Sequence, residues 1–145
     1  MTHTVNPGFH RNKVAVAWLA SLLGMFSVHW WYLGRRYAWC MTLFAVVMLI
    51  LAQFYPVWWD SPPFLILLVP VSAGMIEALV LALMSDEKFD ARYNPGSSQR
   101  TETGWDAVIV AIVTTFLGGT VILFGIAMVV IHVYTAMGWL DGYTL

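Results

Sequence analysis

One acidic residue, Glu77, stands in an apolar stretch from Phe64 to Met84 that contains no other charged side chain. A charge near the centre of a lipid bilayer costs about 2.5–3.5 kcal/mol on insertion scales, so such a residue needs a polar neighbour. Glu77 lies about 10 Å from the Met84 end of a helix that rises 1.5 Å per residue. Because His29 and the arginines at 35 and 36 approach the same end if each apolar segment crosses once, we predict that Glu77 contacts His29 or an arginine.

Three roles are open to Glu77. It can be a buried polar residue that fixes how helices pack, a contact with a partner subunit, or a group that handles protons or ions. Pro70 and Gly74 precede it and predict a kink and a close helix approach. Pathways for ions usually show several polar groups along one line, whereas this segment has a single acid. The structural role is therefore favoured, and ion handling is the alternative.

The histidines and the cysteine predict no cofactor and no metal. His132 lies near the far end of the last apolar stretch, so it and His29 sit at opposite faces and cannot jointly hold one haem. A lone histidine in such a position is more often a hydrogen-bonded interface residue than a ligand. Cys40 is the only cysteine, which excludes a disulfide and a cysteine metal site within one chain.

No group of residues predicts catalysis. The acidic residues Asp86, Glu87 and Asp90 lack the ligand spacing and the glycine of a calcium loop, and Lys88 and Arg92 interrupt them. A solvated face explains this cluster. The sequence contains no phosphate-binding glycine loop, no nucleophile elbow and no zinc-binding helix motif, so we predict that the chain is not an enzyme.

The composition is that of a membrane protein. The chain has 145 residues, of which 60% are hydrophobic and only 10% are charged, whereas an ordinary soluble domain has about 25% charged residues. The mean hydropathy of +0.74 also excludes a disordered chain. The net charge of −1 leaves no basic field for nucleic acid.

We therefore predict an all-α, polytopic membrane protein with about four transmembrane helices, since a bilayer core of about 30 Å needs about 20 apolar residues per helix. The second and fourth spans contain no Asp, Glu, Lys or Arg from about Tyr37 to Tyr55 and from about Ala107 to Tyr134. The predicted order is an N-terminal tail (1–13), a helical hairpin of spans one and two (14–55), a proline- and tryptophan-rich loop (56–63), span three (64–84), a polar loop (85–105), span four (106–137) and a C-terminal tail (138–145). An alternative is that residues 14–55 form a shorter, tilted hairpin whose connection lies in the membrane interface.

Basic residues predict the orientation. With four crossings, five Lys or Arg residues lie on the side of the polar loop and two, Arg11 and Lys13, lie on the side of the termini. The positive-inside rule then places the polar loop in the cytoplasm and both termini in the periplasm of a bacterial inner membrane. Within the polar loop, Asp86 to Arg92 can form one short surface helix.

Small residues on the last span predict tight helix packing. Ala111, Thr115 and Gly119 recur at four-residue spacing, and Thr114 and Gly118 lie beside them. Such a ridge lets a second helix approach closely. The neighbour can be another helix of this chain or a helix of a partner.

Residues 22–34 resemble the signature of the two-transmembrane-helix (TM-two) domain family, which has a motif of the form Leu-Gly-x-x-Gly-x-His-Arg-Phe-Tyr-Leu-Gly between two apolar helices. The matching residues are Gly24, His29, Tyr32, Leu33 and Gly34. Ser27 stands in place of a glycine, Trp30 in place of the arginine and Trp31 in place of the phenylalanine. The resemblance covers about residues 13–55 and implies a hairpin with its connecting motif on the cytosolic side. It implies no activity, and no role of the family's arginine passes to Trp30.

The same residues predict a tight hairpin without the family. Ala20 and Gly24 make one helix face small, and Gly34 can adopt the positive φ that closes a turn. From all of these patterns we predict a structural or accessory subunit of a larger membrane complex. Its predicted partners are the lipid bilayer and other membrane subunits or a second copy of itself. The alternative is a small proton or ion transporter that uses Glu77.

Overall fold

The structure is a computed structural model that describes residues 9–142, and this part of the chain is all-helical with no β-strand. The all-α prediction is therefore confirmed. Parts of the predicted tails, residues 1–8 and 143–145, lie outside the described residues. The helices are α1 (Lys13–Leu23), α2 (Val28–Leu33), α3 (Ala38–Ala52), α4 (Pro62–Ile66), α5 (Leu68–Leu83), α6 (Asp86–Tyr93) and α7 (Trp105–Ala136), with 3₁₀ turns at Gly24–Phe26 and Trp58–Asp60.

Helix α5 lies at the centre and packs against both α1 and α7. One end of the molecule, the loop end, holds the C-terminus of α5 and the polar residues 84–104. The opposite end, the tryptophan end, holds the 3₁₀ turn Trp58–Asp60. Helices α4 and α5 form one apolar segment that is interrupted at Leu67. Pro70 explains the interruption, because it has no N–H to donate to the carbonyl four residues earlier.

Helix α1 reaches only about half-way along α5. Lys13 donates to the Met84 carbonyl at the loop end, while Gly24 lies against Gly74, ten residues earlier in α5. At 1.5 Å per residue this is a depth of about 15 Å. A Cβ atom on Gly74 would lie 2.6 Å from the Gly24 Cα and 2.9 Å from the Ala20 carbonyl. The small face predicted at Ala20 and Gly24 is confirmed as a site of backbone contact.

After Gly24 the chain turns back towards the loop end. Ser27 is buried and has a φ of 54°, the left-handed region that reverses the chain between the 3₁₀ turn and α2. Helix α2 then ends at Gly34, whose φ of 71° confirms the predicted turn. The Arg11 guanidinium donates to the Tyr32 carbonyl, so the end of α2 lies beside the start of α1. Residues 13–34 thus form a re-entrant hairpin, which enters and leaves at the same end.

The first apolar segment therefore does not run from one end of the molecule to the other, as the predicted first span would. Two apolar segments, Pro62–Leu83 and Trp105–Ala136, are long enough to cross a membrane within the described residues, whereas Lys13–Phe26 and Ala38–Ala52 are shorter apolar helices. The helix of the first segment ends about half-way along α5, at the contact between Gly24 and Gly74. Helix α3, of 15 residues, is about 22 Å long. The observed hairpin covers residues 13–34 and ends before α3 begins at Ala38, so it is neither the predicted hairpin of residues 14–55 nor the shorter, tilted form of it.

The N-terminal residues lie at the loop end, not opposite the polar loop as predicted. The Arg11 guanidinium donates to the Tyr93 carbonyl (2.7 Å), and its backbone N–H donates to Asn94 (2.8 Å). Lys13 forms an ion pair of 2.7 Å with Asp86. His132 of α7 contacts Asp60 at the tryptophan end. The hairpin returns to the loop end, and α3, the α4–α5 segment and α7 then run in turn between the two ends of the molecule. Residues 9–13 and the end of α7 therefore lie at opposite ends.

The predicted surface helix is confirmed as α6, which inserts the fully buried Phe89 into the core. Two carboxylates of α6, Asp86 and Asp90, accept hydrogen bonds from the N-terminal residue Lys13 and from the polar loop that follows α6. Burial raises the pKa of the Asp86 carboxyl, but hydrogen bonds from Lys13 and Thr103 outweigh burial and hold this pKa below its usual value. Burial likewise raises the pKa of Asp90, and hydrogen bonds from Thr101 and Asn94 lower it further than burial raises it.

Candidate functional site

Three side chains of the hairpin and the following turn converge on Glu77 of α5. The His29 Nε2 lies 2.9 Å from Glu77 Oε2, and the Trp30 Nε1–H donates to the same oxygen at 2.8 Å. The Arg35 guanidinium forms an ion pair of 2.6 Å with Glu77 Oε1. We call these four residues the Glu77 cluster. The predicted contact of Glu77 with His29 or an arginine is confirmed, and both partners are present.

The two ring nitrogens of His29 have different surroundings. His29 is 2% exposed, and within the described residues its Nδ1 is buried without a hydrogen-bond partner. A hydrogen on Nδ1 would therefore be a buried unsatisfied donor, which costs about 1–3 kcal/mol. The tautomer with its hydrogen on Nε2 avoids this cost and donates to Glu77. The carboxylate charge is then balanced by Arg35.

Arg35 connects the Glu77 cluster to the surface helix. Its guanidinium also donates to the Tyr93 hydroxyl at 3.2 Å and lies 5.0 Å from the centre of the Trp30 ring. A cation over an indole face is attracted by the ring quadrupole. The arginine thus holds α5, α2 and α6 together. Because it follows Gly34, the turn that Gly34 closes is what aims the guanidinium back at Glu77.

The other motif residues support this arrangement without touching Glu77 in the structure. The Trp31 Nε1–H donates to the Thr42 hydroxyl, which itself donates to the Phe26 carbonyl, so α3 is fastened to the hairpin. The Tyr32 hydroxyl accepts from the backbone N–H of Asn12, and Leu33 is buried in the core. Sequence reasoning missed Trp30 as a partner of Glu77. Its indole N–H was the available signal, but an aromatic residue near a helix end is equally typical of a membrane interface.

His132 has a partner that the sequence did not predict. Its Nδ1 lies 2.9 Å from Asp60 Oδ1, and both side chains are partly exposed. This contact joins the tryptophan-rich loop to α7. His29 lies beside Glu77 and His132 beside Asp60 at the tryptophan end, so the two histidines have separate partners. Within residues 9–142 no group of three His, Cys, Asp or Glu residues could hold a metal ion.

The small residues of α7 are divided between two faces. Ala111 and Gly118 are buried. A Cβ atom added to Gly118 would lie 3.3 Å from the Met75 sulfur of α5, so this face of α7 packs closely on α5. Thr114 is also buried and donates to Ser21 of α1 at 3.0 Å. Thr115 and Gly119 are exposed instead, and the Thr115 hydroxyl donates within its own helix. The internal ridge is therefore Ala111, Thr114 and Gly118 rather than the predicted four-residue series.

An apolar groove of about 540 Å³ separates α5 from α7 in the half nearer the tryptophan end. Ser72 is the only residue with a polar side chain among those lining the groove, and Gly125 lies at its floor against Leu68. Such a surface accommodates hydrocarbon rather than a polar substrate. In the Glu77 cluster, by contrast, a carboxylate lies within hydrogen-bond distance of His29, Trp30 and Arg35.

Comparison of this chain with protein-family models, with curated proteins and with solved structures finds no match in any of the three. The resemblance of residues 22–34 to the TM-two signature thus stays an expectation from the sequence.

Proposed function

We propose that this chain is a small, non-enzymatic integral membrane protein that serves as a structural or accessory component of a larger membrane complex. The observation that carries the proposal is the Glu77 cluster. Its carboxylate binds three donors from the hairpin and the following turn. A group used in this way stabilises a fold, whereas a proton carrier needs a chain of further polar groups beside it.

A membrane location is supported by the apolar segments and by the side chains that they leave exposed. The segments Pro62–Leu83 and Trp105–Ala136 have mean hydropathies of 2.4 and 2.5 over their most apolar windows. Large apolar residues such as Phe116, Leu123 and Phe124 are more than two-thirds exposed. A surface of this kind is suited to lipid or to the helices of a partner.

The basic residues support a cytoplasmic location for the loop end. All seven Lys and Arg residues of the chain belong to segments at this end: Arg11, Lys13, Arg35, Arg36, Lys88, Arg92 and Arg100. The tryptophan end contains acidic residues such as Asp60. Under the positive-inside rule this asymmetry favours an N-terminal segment in the cytoplasm and a C-terminal end of α7 on the other side, in a bacterial inner membrane.

The proposal is tested by isolating the tagged protein at native expression in a mild detergent and measuring its native mass. We expect a stoichiometric larger complex, and we expect Glu77→Gln to weaken it because the hairpin is held less firmly. Glu87→Gln, which removes an exposed carboxylate of α6, is the matched control and should leave the complex intact. Isolation of the chain alone would contradict the accessory role. A proton flux in liposomes that Glu77→Gln abolishes would favour the transporter alternative.

A further inference from the structure

A second groove at the loop end combines an apolar wall with a basic rim. It has a volume of about 500 Å³ and lies along the exposed side of α5, under the start of α6. Its lining residues are Ile76, Leu79, Val80, Leu83, Met84, Ser85 and Lys88. Hydrocarbon side chains form the part along α5, and Lys88, an exposed residue of α6, lines the groove at the loop end. The groove is apolar along α5 and cationic at its α6 end. These two regions match the acyl chain and the phosphate headgroup of an anionic phospholipid.

The basic rim of the groove consists of Lys88 and Arg92, and no carboxylate of the described residues pairs with either. Lys88 and Arg92 are four residues apart on α6 and therefore lie on the same face of this helix. Neither forms an ion pair within residues 9–142, where the ion pairs of Lys or Arg are Lys13 with Asp86 and Arg35 with Glu77. The neighbouring acid Asp90 is bound by Thr101 and Asn94. An anion at the rim would thus meet positive charge without displacing a carboxylate.

Two further cations, Arg35 and Arg11, contact Tyr93, the residue next to Arg92 of the rim. The Arg92 guanidinium is 5.6 Å from the centre of the Tyr93 ring, the Arg35 guanidinium donates to the Tyr93 hydroxyl, and Arg11 donates to the Tyr93 carbonyl. Of these three arginines only Arg35 has a carboxylate partner in the described residues. Two arginines without a carboxylate partner in the described residues, Arg11 and Arg92, therefore contact Tyr93, and guanidinium groups bind phosphate well.

We propose that this groove is a binding site for an anionic phospholipid, with an acyl chain along α5 and the phosphate at Lys88 and Arg92. The inference rests on the proposed membrane location, because only a protein in a bilayer has such a lipid at hand. A free phosphate shares the chemistry of the headgroup, but it would make no use of the apolar wall. Tyr37 and Trp39, at the start of α3, are exposed aromatic residues of the kind typical of the interface at which headgroups lie.

The test uses the full-length protein and native mass spectrometry after exchange into phosphatidylglycerol or phosphatidylcholine with the same acyl chains. We expect phosphatidylglycerol to be retained preferentially, and Lys88→Gln to weaken its binding about fivefold, the effect of one cation near an anionic membrane surface. Arg100→Gln removes an exposed charge elsewhere in the polar loop and is the matched control, with no expected change. Val80→Phe, at a residue that is 54% exposed, should also weaken binding because the larger side chain occupies the apolar wall.

Three results would overturn the proposal: equal retention of both lipids, equal losses for Lys88→Gln and Arg100→Gln, or displacement of the lipid by inorganic phosphate with no effect of Val80→Phe. The last result would assign the rim to a free anion. Extraction of membranes with alkaline carbonate separates this inference from the proposed function. Release of the protein by carbonate would overturn both, whereas retention in the membrane without a lipid preference would overturn the lipid site alone.

Discussion

At the scale of single residues, the Glu77 carboxylate is bound by three side chains of the hairpin and the turn after it. A carboxylate in an apolar helix must find donors, and the sequence offered His29 and the arginines at 35 and 36 at the right depth. The structure selects His29 and Arg35 and adds Trp30. The third donor was not predictable, because the direction of an indole N–H depends on where α2 lies against α5.

Within residues 9–142, Ser27 is the non-glycine residue with a positive φ. Its φ of 54° falls in the left-handed region, which costs a residue with a Cβ roughly 1–2 kcal/mol. We expect Ser27→Gly to raise the free energy of unfolding by about 1 kcal/mol, measured as a higher unfolding midpoint in detergent. This is also the position at which the TM-two signature has glycine.

The same exchange in a helix should have the opposite effect. Ser72 lies within α5, where glycine costs conformational entropy, so Ser72→Gly should lower the free energy of unfolding by a few tenths of a kcal/mol to about 1 kcal/mol. A loss of stability in Ser27→Gly as well would show that the Ser27 side chain, rather than its backbone, stabilises the turn.

Asp86 predicts the response of the loop end to acid. Its pKa in the folded protein lies below the ordinary value of 3.8, so folding favours the ionised form. The stabilisation is complete above this ordinary value and is lost as the pH falls through the lower, folded-state pKa. We expect the unfolding midpoint to fall with pH below about 4, and to fall less steeply in Asp86→Asn, which is already destabilised at neutral pH.

The matched control for this titration is Glu87→Gln, because Glu87 is exposed on the same helix and makes no hydrogen bond to the described N-terminal residues 9–13. Its acid profile should follow that of the unmodified protein. If Asp86→Asn and Glu87→Gln change the profile equally, the contact between Asp86 and Lys13 does not control the acid response.

At the scale of elements, the re-entrant hairpin depends on the crossing of α1 and α5. Gly24 and Gly74 bring the two backbones together so closely that no side chain fits between them. We expect Gly74→Ala to lower the free energy of unfolding by about 2 kcal/mol or more, since its Cβ would meet backbone atoms that cannot move aside. Thermal unfolding in mild detergent measures this loss.

Gly119→Ala is the control for this substitution. A Cβ on Gly119 meets nothing within 4 Å, so alanine there should be neutral or stabilise α7 slightly through its helix propensity. Equal destabilisation by both substitutions would mean that Gly119, on the exposed face of α7, packs against a partner under the conditions of the measurement.

At the scale of the whole molecule, the hairpin changes the topology. A hairpin that enters and leaves at one end adds no crossing, so we expect the described ends of the chain to lie on opposite sides of the membrane. A fluorescent protein fused at the N-terminus and alkaline phosphatase fused after α7 should therefore both be active in bacterial cells. Activity of only one of the two fusions would contradict this topology and would support the arrangement in which both termini lie on the same side of the membrane.

The amino-acid sequence by itself determined the helical fold, the positions of the apolar segments and the need of Glu77 for a polar partner. Each of these follows from composition and from spacing within one segment. Only the tertiary structure decided that the first segment turns back, because the reversal depends on contact between Gly24 and Gly74, which lie in different helices. The same distinction explains α7: spacing predicted a ridge of small residues, but the position of α5 and α1 selected Ala111, Thr114 and Gly118 for burial and left Thr115 and Gly119 exposed.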